Sequence, residues 1–151
     1  MSQTVRNVYR VYIRTTADKL WDAITNPDTT ENYFFGARFE SDWKPGSTLV
    51  LRDPADNELM LENTVIEAHE PQRIVHSFKP HGATDVSQVA WEIKPMGDVC
   101  LLEVTHDFAD AASEEIEGTQ RGWPIVLSGL KTYLETGTRL NVPLPSATAT
   151  V

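Results

Sequence analysis

The stretch GWPIVLSGLKTYLETG, residues 122–137, most constrains what this chain can fold into. Its apolar residues recur at helical spacing and belong to a longer stripe that runs from Ile116 to Leu134. A helix with such a stripe must bury one face against another element. The sequence therefore predicts a long C-terminal helix that packs along one side on the rest of the domain.

Two residues inside this stretch disfavour a regular helix. Pro124 lacks an amide donor and its ring crowds the carbonyl of Gln120, which predicts a break or kink beside Trp123 and a helix that restarts at Pro124. Gly129 lies on the flank of the apolar stripe, where the missing side chain lets another segment or a ligand come close. Close packing against a sheet is the alternative reason for both residues.

The sequence before this helix predicts one strand, two short helices and then six strands. Alternation over Val5–Arg14 predicts the first strand, and Thr16 is a plausible N-cap for a helix over Ala17–Thr25. A second short helix is predicted over Pro27–Phe34. Short turn sequences separate the later strands, which favours antiparallel pairing in an α+β fold. These strands are predicted at Ala37–Trp43, Ser47–Arg52, Leu59–Ala68, Arg73–Phe78, Ser87–Lys94 and Val99–Phe108.

Length and charge limit the functional classes. The 151 residues suit one domain, expected over residues 1–137, with residues 138–151 as a flexible tail rich in small residues and proline. The net charge of -9 disfavours nucleic acid and anionic lipid surfaces as partners. The sequence has no apolar run of membrane-spanning length and begins without a signal-like segment, so a cytoplasmic protein is expected.

Four segments together resemble a known family. They are GWPIVLSGLKTYLETG, ADKLWDAITNPDTTENYFFG, DWKPGS and VIEAHEPQRIVHSF. The resemblance is to the bacterial branch of the family named after the C-terminal domain of the activator of heat-shock protein 90 ATPase, within the START-like, or SRPBCC, superfamily. It covers residues 5–137 and implies a helix-grip fold. In that fold a curved antiparallel sheet of about seven strands wraps round a long C-terminal helix and leaves an internal cavity.

Large apolar and aromatic residues on the inward faces are candidates to line this cavity, since flat rings can hold a hydrophobic ligand by stacking. Ordinary core packing is the alternative for each of them. The candidates are Tyr33, Phe35, Trp43, Phe78, Trp91, Trp123 and Leu127.

Two of the four histidines are candidates for polar contacts inside the domain. His76 and His106 lie within predicted strands and share the faces of Phe78 and Phe108, so each can contact a ligand or serve as a hydrogen-bonded structural residue. His69 and His81 lie in turn sequences and are expected to be solvated. The sequence has no HExxH motif, Cys/His cluster, phosphate-binding loop or nucleophile-elbow motif, so we expect no metal, cofactor or assigned catalytic residue.

Three functions fit these observations. The first is noncatalytic binding of a small hydrophobic or aromatic molecule, such as a lipid, polyketide or flavonoid, between the sheet and the C-terminal helix. The second, which the name of the resembled family suggests, is a protein-interaction or stress-response module of the co-chaperone type. Ile125 projects away from the stripe and is a candidate for a homodimer or chaperone surface. The third is a cyclase- or hydrolase-like enzyme, which some members of the superfamily are.

Overall fold

The computed structural model describes residues 3–79 and 86–143. His81 and most of the KPHGATD turn, together with residues 144–151 of the predicted tail, lie outside these ranges. The described part contains β1 Gln3–Ile13, α1 Ala17–Thr25, α2 Pro27–Thr30, β2 Arg38–Ser41, β3 Thr48–Arg52, β4 Leu59–His69, β5 Arg73–Phe78, β6 Ser87–Met96, β7 Val99–Ala111 and α3 Ser113–Thr136.

The strands form one antiparallel sheet in the order β1-β7-β6-β5-β4-β3-β2. This arrangement confirms the predicted α+β helix-grip fold, in which the sheet and a long C-terminal helix enclose the core. The register places five residues in one row across the inner face of the sheet. The row consists of Asn7, His106, Val89, His76 and Val65.

Side-chain caps determine where the two short helices begin. Thr16 accepts a hydrogen bond from the Lys19 amide at 3.3 Å, as the predicted N-cap of α1 should. Asn26 caps α2 through its side-chain oxygen. The second helix is shorter than predicted because it ends at Thr30, and turns follow it.

The predicted break in α3 and the restart at Pro124 are wrong, because the helix continues from Ser113 to Thr136 with Pro124 inside it, whereas a kink beside Trp123 stays a prediction. Pro124 and Gln120 are both exposed, so water can bind the carbonyl that loses its helical donor. On the opposite face, Trp123 and Val126 are buried in the main core. Tertiary packing on both sides of the proline thus outweighs its local cost.

Side chains of α3 also cover one end of the outer edge of β1. The Lys131 ammonium donates to the Tyr12 carbonyl at 2.7 Å, and the Glu135 carboxylate accepts from the Arg14 amide at 2.8 Å. Lys131 and Glu135 form an ion pair with each other at 2.7 Å. Backbone groups that an edge strand would leave open are therefore occupied here.

Gly129 lets α3 approach the segment that follows α2. A Cβ atom at this position would lie 3.3 Å from the Cβ of Tyr33, which is closer than ordinary van der Waals contact. Tyr33 cannot move away easily, because it is buried and its hydroxyl donates to the Ala23 carbonyl at 2.8 Å. The glycine is explained by this close packing.

We predict that Gly129→Val lowers the free energy of unfolding by about 1–3 kcal/mol, because the added methyl groups overpack the contact with Tyr33. Ser128→Val is the matched control at an exposed neighbouring position of the same helix, and it should cost less than about 0.5–1 kcal/mol through helix propensity alone. Urea unfolding followed by circular dichroism measures both. Equal losses for the two variants would contradict the packing argument.

Candidate functional site

Two hydrogen bonds between indole and imidazole rings lie at the centre of the inner face. Trp91 Nε1 donates to His76 Nε2 at 3.0 Å, and Trp123 Nε1 donates to His106 Nδ1 at 3.0 Å. All four side chains are buried. Because an indole nitrogen can only donate, these bonds place the remaining proton of each neutral imidazole on its other nitrogen.

Those other nitrogens are also occupied. His76 Nδ1 donates to the Ser77 carbonyl at 2.8 Å. His106 Nε2 donates to Ser87 Oγ at 2.7 Å, and the Ser87 hydroxyl in turn donates to the Phe78 carbonyl at 2.7 Å. The polar atoms of both histidines are thus satisfied without any charged partner.

Burial keeps both histidines neutral. Loss of hydration lowers the pKa of His76 to about 4, although the bond to the Ser77 carbonyl opposes this change. Loss of hydration likewise lowers the pKa of His106 to about 3, and the neighbouring His76 lowers it further while Asp107 opposes the shift. The centre of the site is therefore polar and uncharged at neutral pH.

The direction of these bonds does not activate a nucleophile. A serine hydrolase needs a histidine that accepts the serine proton. Here His106 uses its lone pair for Trp123 and presents a proton to Ser87, whose own proton goes to Phe78. This arrangement suits a structural or binding role better than acyl transfer.

Aromatic rings surround the two bonds and contact one another. The Trp91 and Trp123 rings meet edge to face with centroids 5.4 Å apart, and Phe78 meets His106 in the same way at 5.6 Å. His106 also stacks on Phe108 at 4.2 Å. The structure therefore brings together His76, His106, Phe78, Trp91 and Trp123, which the sequence proposed as cavity residues, in one cluster of packed rings.

The other proposed residues lie around this cluster. Leu127 and Tyr33 are buried in the main core. Phe35 and Trp43 are half-buried against it and have left-handed backbone with φ of 50° and 54°, which is uncommon for aromatic residues. The Trp43 indole donates to the Thr25 carbonyl at 3.2 Å, at the end of α1 and apart from the histidines.

A surface cleft of about 240 Å³ contains two of the proposed residues. Tyr33 and Phe35 line it together with Ile125 of α3 and the segment from Arg139 to Val142. The Arg139 guanidinium donates to the carbonyl of Glu31 at 3.2 Å, so this part of the C-terminal segment contacts the domain. The cleft is open to solvent and is separate from the ring cluster.

Sequence reasoning missed four polar residues that face the interior. Ser87 completes the hydrogen-bond chain, and three further polar atoms are buried without a hydrogen-bond partner in the described part of the chain: Asn7 Nδ2, Tyr9 Oη and Asn63 Nδ2. Strand alternation in the sequence indicates their inward direction, since Asn7 and Tyr9 share the face of Val11, and Ser87 shares the face of Trp91.

Within residues 3–79 and 86–143, no three His, Cys, Asp or Glu side chains are grouped so that they could hold a metal ion. Over the same ranges, no helix has the length and apolar character needed to cross a bilayer.

Comparison with known families decides the assignment. The family model described as activator of Hsp90 ATPase homolog 1-like protein matches residues 14–135. The chain belongs to this family. The match spans both short helices, all strands from β2 to β7 and nearly all of α3, so the family assignment covers the elements that build the ring cluster. No protein of curated function matches the sequence.

Solved structures of other proteins share the fold of this chain. Protein SSP2350 from Staphylococcus saprophyticus superposes with a TM-score of 0.74 at 17% identity, covering 91% of this chain and 96% of that chain. CalU16 from Micromonospora echinospora gives 0.71 at 19% identity over 98% and 88% of the two chains. ChR145 from Cytophaga hutchinsonii gives 0.70 at 25% identity over 88% and 95%. These likenesses show that the helix-grip fold is shared.

We predict that acid destabilises the protein through the two buried histidines. Above pH 6.5 both histidines are neutral in the folded and unfolded chain, so their contribution does not change. Below that pH only the unfolded chain takes up the protons, because the folded pKa values are about 4 and about 3. Each histidine should lower the free energy of unfolding by about 2 kcal/mol between pH 7 and pH 5.

Urea unfolding at the two pH values measures this loss, and ¹⁵N NMR of the imidazoles checks its cause. The spectra should show the proton on Nδ1 of His76 and on Nε2 of His106. The His69→Gln variant is the control, since His69 is exposed and should leave the loss unchanged. A free energy of unfolding that is equal at pH 7 and pH 5 would contradict the assignment.

Proposed function

We propose that this member of the family binds a small, flat hydrophobic molecule between the inner face of the sheet and α3, without catalysis. The observation that carries the proposal is the presence of unpartnered buried polar atoms beside the aromatic cluster. Tyr9 Oη and Asn7 Nδ2 lack partners in the described residues, and the Tyr9 ring lies 6.2 Å from Trp123. A buried polar group without a partner costs about 1–3 kcal/mol, which a bound molecule can offset.

The surrounding surface suits such a molecule. Trp91, Trp123 and Phe78 are buried and packed in one cluster, and aromatic rings of this kind supply most of the contact area in sites for flat ligands. The neutral histidines add polarity without a charge that would have to be desolvated. Because the rings contact one another, a molecule that enters must separate them or lie along Trp123 next to β1. Its binding should therefore alter the surroundings of the Trp91 and Trp123 indoles.

Indole N–H resonances test the proposal directly. In protein labelled with ¹⁵N at tryptophan, titration with a set of lipids, flavonoids and polyketides should shift the Trp91 and Trp123 signals. Trp43 is the internal reference, since its indole is bound to the Thr25 carbonyl away from the cluster. If none of these compounds moves the Trp91 or Trp123 resonance, the proposal is wrong.

A pair of variants shows where a compound binds. Trp123→Phe should weaken the binding of a compound found in the titration by roughly two- to tenfold, because part of the ring contact is lost. Trp43→Phe removes an indole outside the cluster and should leave the affinity unchanged. Isothermal titration calorimetry measures both, and equal affinities for the two variants would place the binding outside the ring cluster.

A second candidate function, a partner surface for a chaperone, is favoured by the cleft that joins Phe35 and Ile125. Both apolar side chains reach this cleft, and Phe35 is held there by left-handed backbone. Strained backbone is frequent at functional positions. The description of the family as Hsp90 ATPase activator-like agrees with such a surface.

This candidate predicts that the protein raises the ATPase rate of a bacterial Hsp90, and that Ile125→Glu removes the effect by placing a charge in the cleft. Met96→Glu is the control, because it makes the same kind of change at an exposed apolar residue on the β6–β7 hairpin. A coupled ATPase assay measures all three proteins. No stimulation by the unaltered protein would overturn this candidate and leave the ligand-binding proposal unaffected.

A further inference from the structure

Two polar side chains on the inner face of β1 are directed toward α3. Asn7 and Tyr9 are two residues apart and therefore point to the same side of the strand. The Asn7 carbonyl oxygen accepts from Gln120 Nε2 at 3.2 Å, and the Tyr9 ring lies beside Trp123. Both side chains thus face the same turn of α3.

The polar group at the end of each of these two side chains has a hydrogen to donate. The bond from Gln120 occupies Asn7 Oδ1 and leaves the amide hydrogens of Nδ2 without an acceptor in the described residues. Tyr9 Oη is likewise buried without a partner there. Burial raises the pKa of Tyr9, so its phenol keeps its proton at neutral pH.

His106 cannot serve as the missing acceptor. His106 lies opposite Asn7 in the strand register, but Trp123 uses the lone pair of its Nδ1 and its Nε2 already donates to Ser87. An acceptor for the two polar groups must therefore come from outside this network.

Charge also restricts what that acceptor can be. The arginines of β1 alternate with these two residues and so point to the outer face, where Arg6 pairs with Asp107 at 2.7 Å and Arg10 pairs with Glu103 at 2.8 Å. A carboxylate bound between Asn7 and Tyr9 would be buried without a positive partner, which is costly. A neutral acceptor oxygen avoids that cost.

We infer that the ligand carries a neutral acceptor oxygen, such as a ketone carbonyl, and that Asn7 Nδ2 and Tyr9 Oη donate to it while its rings lie on Trp123. This inference rests on the proposed ligand-binding function and adds the chemical class of the ligand. It makes Asn7 and Tyr9 the residues that select among flat hydrophobic molecules of equal size.

Compounds that differ only at the acceptor test the inference in the unaltered protein. The probes are fluorene, 9-fluorenone and fluorene-9-carboxylate, together with flavan and flavanone as a second scaffold. Calorimetry should show that each ketone binds about tenfold more tightly than its parent without the carbonyl, which is the effect of two modest net hydrogen bonds. Fluorene-9-carboxylate should bind more weakly than 9-fluorenone.

Variants of the two residues assign the effect. Tyr9→Phe and Asn7→Leu each remove a donor, and each should reduce the preference for the ketone several-fold while the affinity for fluorene and flavan stays the same. Tyr12→Phe is the control, since Tyr12 is on the same strand and is exposed. Circular dichroism of each variant verifies that it is folded.

The possible results distinguish a failure of this inference from a failure of the proposed ligand-binding function. If ketones and parent compounds bind equally, or if fluorene-9-carboxylate binds as tightly as 9-fluorenone, the inference is wrong and the ligand-binding function stands. If the ketone preference persists in both Tyr9→Phe and Asn7→Leu, the assignment to these residues is wrong. If no probe binds, the ligand-binding function fails and the inference fails with it.

Discussion

The two buried bonds between tryptophan and histidine are the constraint on which the interior depends. An indole N–H that is removed from water needs an acceptor, and here the acceptors are imidazoles on β5 and β7, the two strands that flank β6. Each imidazole then needs an acceptor of its own, which the Ser77 carbonyl and the Ser87 hydroxyl provide. The chain of bonds therefore links α3 to the middle of the sheet and fixes the rotamers of the largest side chains in the core.

The order of the elements could be predicted because each signal was local. Alternation gave the strands, turn residues separated them, and Thr16 marked the start of α1, as the structure confirms. Pro124 misled the prediction for the opposite reason. A propensity rule weighs only the helix itself, whereas burial of Trp123 and Leu127 against the core holds the helix together and leaves the proline exposed.

The candidate site could be predicted in part. Strand alternation identified His76, His106 and Trp91, and the helical stripe identified Trp123. Neither pattern showed which of these residues would be hydrogen-bonded to each other. That information depends on the register between strands and on the rotation of α3 about its own axis. Neither can be predicted from a short segment of sequence. The lack of a hydrogen-bond partner for Tyr9 Oη can be recognised only when every donor and acceptor near it has been located in three dimensions.

The cover that α3 provides for β1 limits how this fold can assemble with itself. Adding an eighth strand from a second copy would require the backbone groups of Tyr12 and of Arg14, which follows β1, and Lys131 and Glu135 already bind these groups. A continuous intermolecular sheet therefore cannot form at this end of β1 unless the helix gives up those bonds. The same helix that closes the interior thus also protects the margin of the sheet against aggregation.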